Sequence, residues 1–214
     1  MLTVSTRPKR KRVQPYHHGD LRRALLETTL RTIQRDGVDA VTLRGVGQDV
    51  GVSRTALYRH FADKSALLRA VATEGFRMLR VALVGAWERN GKGQRGFEAM
   101  GEAYVRFAVE NPSHYRVMFG AAIFGGAEDP ELEREGQVAF QALVDALVEQ
   151  QRDGSIVMDN PLQLALYIWS LVHGVAMLAI DGRFAHTGQE IGVLTRYILE
   201  RSRTGIMPSS SKIS

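Results

Sequence analysis

The 214 residues contain no cysteine. That excludes disulfide frameworks, thiolate nucleophiles and thiolate zinc sites together, and it fits a reducing compartment. Residues 1–14 are basic in part but hold no apolar run, so a secretory leader is not expected there. The chain also lacks a clustered nucleophile–base pair and any metal-ligand spacing. No catalytic residue, metal or cofactor is therefore expected, and an enzyme with an all-α active site has no constellation to carry it. His17 and His18 are adjacent, and neighbours on a helix or strand face different ways. The glycine-rich stretch 90–96 has no preceding strand and no Gly-Lys-Ser/Thr ending, so it reads as a flexible connection and not a phosphate cradle.

What is present is an ordinary soluble composition, 44% hydrophobic and 24% charged, with an uneven charge distribution. Residues 1–64 hold 13 Lys and Arg against 6 Asp and Glu, a net +7. Residues 65–214 hold 15 against 17, a net −2. A basic first third points to a polyanion partner. Five of its cations lie in Arg7–Arg12, within a segment 1–18 expected to be a disordered basic arm. That segment reads either as an arm along phosphates or in a minor groove, or as a solubilising tail.

Every strong periodic signal after the arm is helical, so the expected class is all-α. Leu26, Thr29, Leu30 and Ile33 share one face of a helix from Gly19 to Asp36, closed by Gly37. Thr42 caps a second helix with Val46 and Val50 on one face; Gly45 and Gly47 inside it each cost about 1 kcal/mol against alanine. Gly51 makes a turn, and Ser53 caps a third, short helix. There Leu57 and Phe61 form the apolar side. Arg54, Thr55, Tyr58 and Arg59 point elsewhere, and cations, hydroxyls and a phenol are the groups that bond base edges and phosphates. Three short helices with a tight glycine turn make a helix-turn-helix unit over 19–65.

Asp63 caps a fourth helix of roughly 25 residues, about 37 Å long, which leads into a second helical unit over 66–203. Helices are expected at Phe97–Glu110, Ser113–Phe119 and Pro130–Arg152, with a loop at 120–129. The stripe of the last is Phe140, Leu143, Val144, Leu147 and Val148. Its early carboxylates, Glu131, Glu133 and Glu135, read as a solvated surface favoured by the helix dipole. Asn160-Pro161 opens a helix almost wholly apolar from Leu162 to Ile180. By length it raises a membrane span, but its polar residues lie mid-run and no second span accompanies it. A buried subunit interface is the expected role, with Thr187–Arg203 as partner helix, and residues 204–214 are expected to be a frayed tail.

Residues 19–65 resemble the DNA-binding domain of the tetracycline-repressor (TetR) family. The carrying residues are Gly37, Thr42-Leu43-Arg44, Gly51-Val52-Ser53, Leu57-Tyr58-Arg59-His60-Phe61 and Asp63-Lys64-Ser65-Ala66-Leu67, without a gap from Thr42 to Lys64. The family's usual alanine is absent at Gly47. Trp169-x-x-x-His173-Gly174, Asp181-Gly182-Arg183 and Asn111-Pro112-x-x-Tyr115-Arg116-x-Met118-Phe119 resemble a TetR subgroup in the second half.

The resemblance implies a DNA-contacting set of Thr42, Arg44, Ser53, Arg54, Thr55, Ala56, Tyr58, Arg59, His60 and Lys64. Thr42, Arg44, Tyr58, His60 and Lys64 would touch phosphate, Arg54 and Thr55 base edges, and Ala56 a thymine methyl. It further implies a homodimer through the last two helices, about 161–183 and 187–203, reading a palindromic operator in double-stranded DNA. A small hydrophobic effector would sit among Tyr104, Phe107, Met118, Phe119, Trp169, His173 and Met177. The expected protein is a cytoplasmic regulator, a repressor released by that effector. A DNA-binding dimer without an effector is the alternative.

Overall fold

The computed structural model describes residues 18–123 and 128–206. The described residues form nine α-helices and one 3₁₀ turn, with no strand. In order these are α1 (His18–Asp36), α2 (Leu43–Val50), α3 (Arg54–His60), α4 (Lys64–Arg89), α5 (Gly93–Glu110), α6 (Pro112–Met118), the 3₁₀ turn (Ala121–Ile123), α7 (Pro130–Arg152), α8 (Pro161–Ile180) and α9 (Ile191–Ile206).

The helix starts are set by side chains that accept the otherwise unbonded first-turn N–H groups. Thr42 Oγ1 takes Gly45 N at 3.0 Å, Ser53 Oγ takes Ala56 N at 3.2 Å, and Asp63 Oδ1 takes Ala66 N at 2.7 Å. Asp129 caps α7 and Asn160 caps α8 in the same way, each followed by proline in the first turn.

α4 is the central helix. It packs on α5, α6 and α7 in the body and on α1 in the head, while α5 carries α8 and α9 on its other side. The buried side chains form one contiguous cluster from Leu21 and Leu25 in α1 to Leu199 in α9. Each Val, Leu, Ile or Phe removed from water in this way contributes about 1.5–3 kcal/mol. The head core and body core are therefore continuous.

Four sequence expectations are corrected. The helix expected from Phe97 begins at Gly93, leaving only 90–92 as the turn. Gly96, which reads as a chain loosener, lies buried inside α5; a Cβ there would stand 2.9 Å from the Trp87 carbonyl oxygen. Its glycine serves a close approach of α5 to α4. The helix expected from Thr187 begins at Ile191, after turns that include Gly188 at φ +62°, and runs on to Ile206. The expected tail is thus helical over 204–206, and 207–214 lie outside the described residues. The expected arm likewise lies outside them over 1–17, while His18 opens α1.

The fourth correction concerns the acidic start of α7. Glu135 is buried at 5% exposure and accepts from Arg77 Nε at 3.1 Å and from an Arg134 guanidinium nitrogen at 3.0 Å. Glu131 bonds the same Arg77, and Asp129 stands 3.3 Å from Arg69 Nε. These carboxylates clamp α7 onto α4; Glu133 is exposed as expected.

α8 is long and apolar enough to cross a membrane by length and composition. It packs instead on α5, α7 and α9, burying Leu164, Ala165, Ile168, Val172, Val175 and Ala176. Its opposite row, Leu162, Leu166, Tyr167 and Leu178, is exposed, as are Val193 and Tyr197 of α9.

Candidate DNA-reading face and effector cavity

The turn between α2 and α3 is built from Gly51, whose φ of +77° suits a residue without a Cβ. Gly51 N donates to Gln48 O and Val52 N to Gly47 O, both at 3.0 Å. Leu57 and Phe61 are buried beneath α3, although Phe61 caps the helix end and does not lie within it. The glycines that read as costs in α2 have a packing reason. A Cβ on Gly47 would meet Leu57 Cδ2 at 2.7 Å, and one on Gly45 would meet the Thr42 cap oxygen at 2.8 Å. The departure from alanine at Gly47 lets Leu57 pack directly on bare backbone.

On the outer side Thr42, Arg44, Ser53, Arg54, Thr55, Tyr58 and Arg59 are exposed, while Ala56, His60 and Lys64 are half-buried. The structure brings all ten sequence candidates onto the capped α2–α3 unit and the first turn of α4. Three of them are tied in ways that spacing does not reveal. The Arg54 guanidinium lies 5.5 Å from the centre of the Tyr58 ring, a cation–π arrangement that orders both. Lys64 Nζ donates to the Asp39 carbonyl oxygen at 3.1 Å, joining the start of α4 to the α1–α2 connection.

In the body, α4 to α9 surround a cavity of about 680 Å³, within the range of small-molecule sites. Its wall is chiefly aromatic and aliphatic: Phe76, Phe97, Tyr104, Phe119, Phe140 and Trp169, with Leu79, Met100, Met118 and Leu143. Formal charge enters from Arg69 and from Glu128, Asp129 and Glu133 around the start of α7. Of the seven residues expected around an effector, Tyr104, Met118, Phe119 and Trp169 line this cavity. Phe107 and Met177 do not: Phe107 is buried in the core, and Met177 lies two turns past Trp169 along α8.

His173, expected as the cavity's polar group, also stands outside the lining set and behind it. Its Nδ1 is 2.7 Å from Tyr115 Oη and 3.0 Å from Tyr104 Oη. Tyr115 Oη and Tyr104 Oη are 2.9 Å apart, and Trp169 Nε1 donates to Tyr104 Oη at 2.9 Å. Burial pushes the Tyr104 phenol up to about 12 and raises Tyr115 as well, while it holds His173 below the usual histidine range. His114, in the same short α6 as Tyr115, is also lowered by burial, with Glu74 opposing.

Sequence reading missed Arg69, Phe76, Phe97, Met100 and Phe140 as cavity residues. For the four apolar ones the only signal was an apolar position on an amphipathic helix, equally the signal of solid core, and Arg69 gave none.

A helix-turn-helix head on an all-helical body with a large apolar cavity defines a DNA-binding regulator. Residues 25–71 match the family described as bacterial regulatory proteins, tetR family, and residues 97–201 match the tetracyclin repressor-like C-terminal domain. The chain belongs to the TetR family and is a DNA-binding transcriptional regulator.

A protein of unknown function from Rhodococcus sp. RHA1 shares 31% identity and superposes with a TM-score of 0.82, over 92% of this chain and 100% of that one. An uncharacterised HTH-type transcriptional regulator of Mycobacterium tuberculosis is 26% identical over 166 residues, 75% of this chain and 71% of its own length. At 12% identity the fold is shared with the transcriptional regulator FadR of Bacillus subtilis, solved in complex with stearoyl-CoA; the TM-score is 0.68 over 86% of this chain and 98% of that one.

Proposed function

We propose that the protein is a cytoplasmic homodimeric repressor that reads a palindromic operator and is released by a small hydrophobic effector. The observation that carries the effector is the apolar cavity of about 680 Å³. A dimer serving only to bind DNA has no need of such a volume. FadR, which shares the fold, is solved with stearoyl-CoA, whose long acyl chain supports an occupant that is apolar over much of its length.

Thr42, Arg44, Tyr58, His60 and Lys64 contact phosphates and fix the head's orientation, with Ser53 holding the helix start. Arg54 and Thr55 contact base edges, Ala56 a thymine methyl, and Arg59 either. The exposed apolar rows of α8 and α9 pair with those of a second copy, because so large an apolar surface is stabilised by cover. Cavity occupation then shifts α4 and α6, both of which touch α1, and changes the spacing of the two heads. The division into a head at 19–65 and a body at 66–203 follows from these roles.

Selection of bound fragments from random DNA tests this reading. A twofold-symmetric site is expected, and a pool with no enriched palindrome would overturn it.

A further inference from the structure

The four side chains Tyr104, Tyr115, Trp169 and His173 are bonded only among themselves by the contacts above, and only Tyr104 and Trp169 line the cavity. Their protons can be counted. With Nδ1 of His173 bare and Tyr115 turned to donate to it, Tyr104 can donate to Tyr115 while the indole donates to Tyr104. The two phenol protons and the indole proton are then used, the His173 Nε2 proton takes no part in these contacts, and the Tyr104 oxygen keeps one free lone pair.

With the proton on Nδ1, His173 donates to Tyr115 and Tyr115 donates to Tyr104, which still accepts from the indole. Both Tyr104 lone pairs are now taken, and its own proton has no acceptor within the cluster. A change of neutral tautomer alone therefore lets the same atoms offer an acceptor or a donor. None of the four carries a formal charge while His173 is neutral, which its burial favours. The lining's charges come from Arg69, ion-paired with Asp129 at 3.3 Å, and from Glu128 and Glu133.

We propose that the effector is a largely apolar molecule bearing one uncharged oxygen, a hydroxyl or a carbonyl, that hydrogen-bonds the Tyr104 phenol. The proposal rests on the reading of the cavity as the effector site. A charged head group beside Tyr104 would be desolvated without a counter-charge, which is costlier than burying a neutral oxygen that finds a partner. Either neutral function is matched by one of the two tautomers.

The test uses the full chain and four probes of one chain length: decan-1-ol, decan-2-one, decanoate and decylammonium. Binding is followed by tryptophan emission and by calorimetry. The two neutral probes are expected to bind at least tenfold more tightly than the two ions. Tyr104→Phe should weaken the neutral probes about three- to tenfold, the worth of one neutral hydrogen bond, and leave the ions unchanged. Trp169→Phe frees a Tyr104 lone pair and should move the ratio toward the alcohol; it stands in if Tyr104→Phe does not fold.

Gly136→Leu checks the cavity itself, because a Cβ there makes only ordinary contacts near 3.8 Å with Phe76 and the longer side chain fills the lining. It should abolish binding of every probe. Unchanged binding in that variant would overturn the effector site. Loss there, with no change in the alcohol, ketone and ion ranking in Tyr104→Phe and Trp169→Phe, would overturn the oxygen alone. Tighter binding of decanoate through Arg69, or of decylammonium through Glu128 and Glu133, would overturn it as well.

Discussion

The head and the body use side chains in opposite directions. In the head, two large residues under α3, Leu57 and Phe61, face inward and almost everything polar faces out. Its working surface is a set of tips on a small, stiff support, and the support includes bare backbone at Gly47. In the body, aromatic rings from α4, α5, α7 and α8 face inward and stop short of filling the space. Its working surface is a hollow. A surface of tips fails when its support moves, whereas a hollow fails when its volume is filled or closed. α4 and α6 touch both regions, so the two modes of failure are separable but not independent.

The sharpest way to separate them is Leu57→Ala. Truncation in the small head core should cost about 2–5 kcal/mol. Operator binding in a mobility-shift assay should disappear, while probe binding in the cavity stays within about threefold of wild type. Parallel loss of both would show that head and body unfold together and would break the comparison.

Gly75→Ala attacks the junction. A Cβ there would stand 2.5 Å from Met118 Sδ, so Met118, which lines the cavity, must give way. About 1–3 kcal/mol of stability should be lost in thermal melts, together with a shift in probe affinity.

Within the head, Arg54→Ala should remove about 1–3 kcal/mol of discrimination at one symmetric pair of base positions. Lys64→Ala should instead weaken all sequences evenly and reduce the salt slope by about one phosphate contact. Even weakening by Arg54→Ala would reassign it to the backbone. The cation–π contact predicts partial coupling, so Tyr58→Ala should blur the Arg54 preference.

The smallest effect is on pH. Burial holds His114 and His173 below their ordinary values, so the folded protein keeps both neutral. The unfolded chain takes up those protons near pH 6.5, and stability present above that point is lost as pH falls below it. At the other end the raised Tyr104 and Tyr115 keep their protons when folded, and stability falls above about pH 10. Melting temperature should drop between pH 7 and 5, and His114→Leu should flatten that drop.

The same contrast governs what the sequence makes legible. Every candidate in the head lies between Thr42 and Lys64, on capped helices whose register local spacing fixes. The body's hollow gathers residues from Arg69 to Leu199, and no local pattern distinguishes a ring facing empty space from one facing another ring. Trp169 and Tyr104 were legible as residues around an effector, with His173 among them. That His173 stands behind them was not, because it depends on where Tyr115 of α6 sits. The clamp of Arg77 on Glu131 and Glu135 was hidden for a related reason, since the acidic turn satisfies the helix dipole whether or not another helix approaches. Glycine misled in one direction only: at Gly96 and Gly47 it marks tight contact.

The Lys64 bond to Asp39 has a mechanical meaning. The helix that crosses the body begins with a side chain fastened to the loop ahead of the capped α2, two elements upstream. A shaft keyed to its gear turns it without backlash. On the proposed effector mechanism, a tilt of α4 would pass through this bond to the connection ahead of α2 as well as along the chain at residue 63.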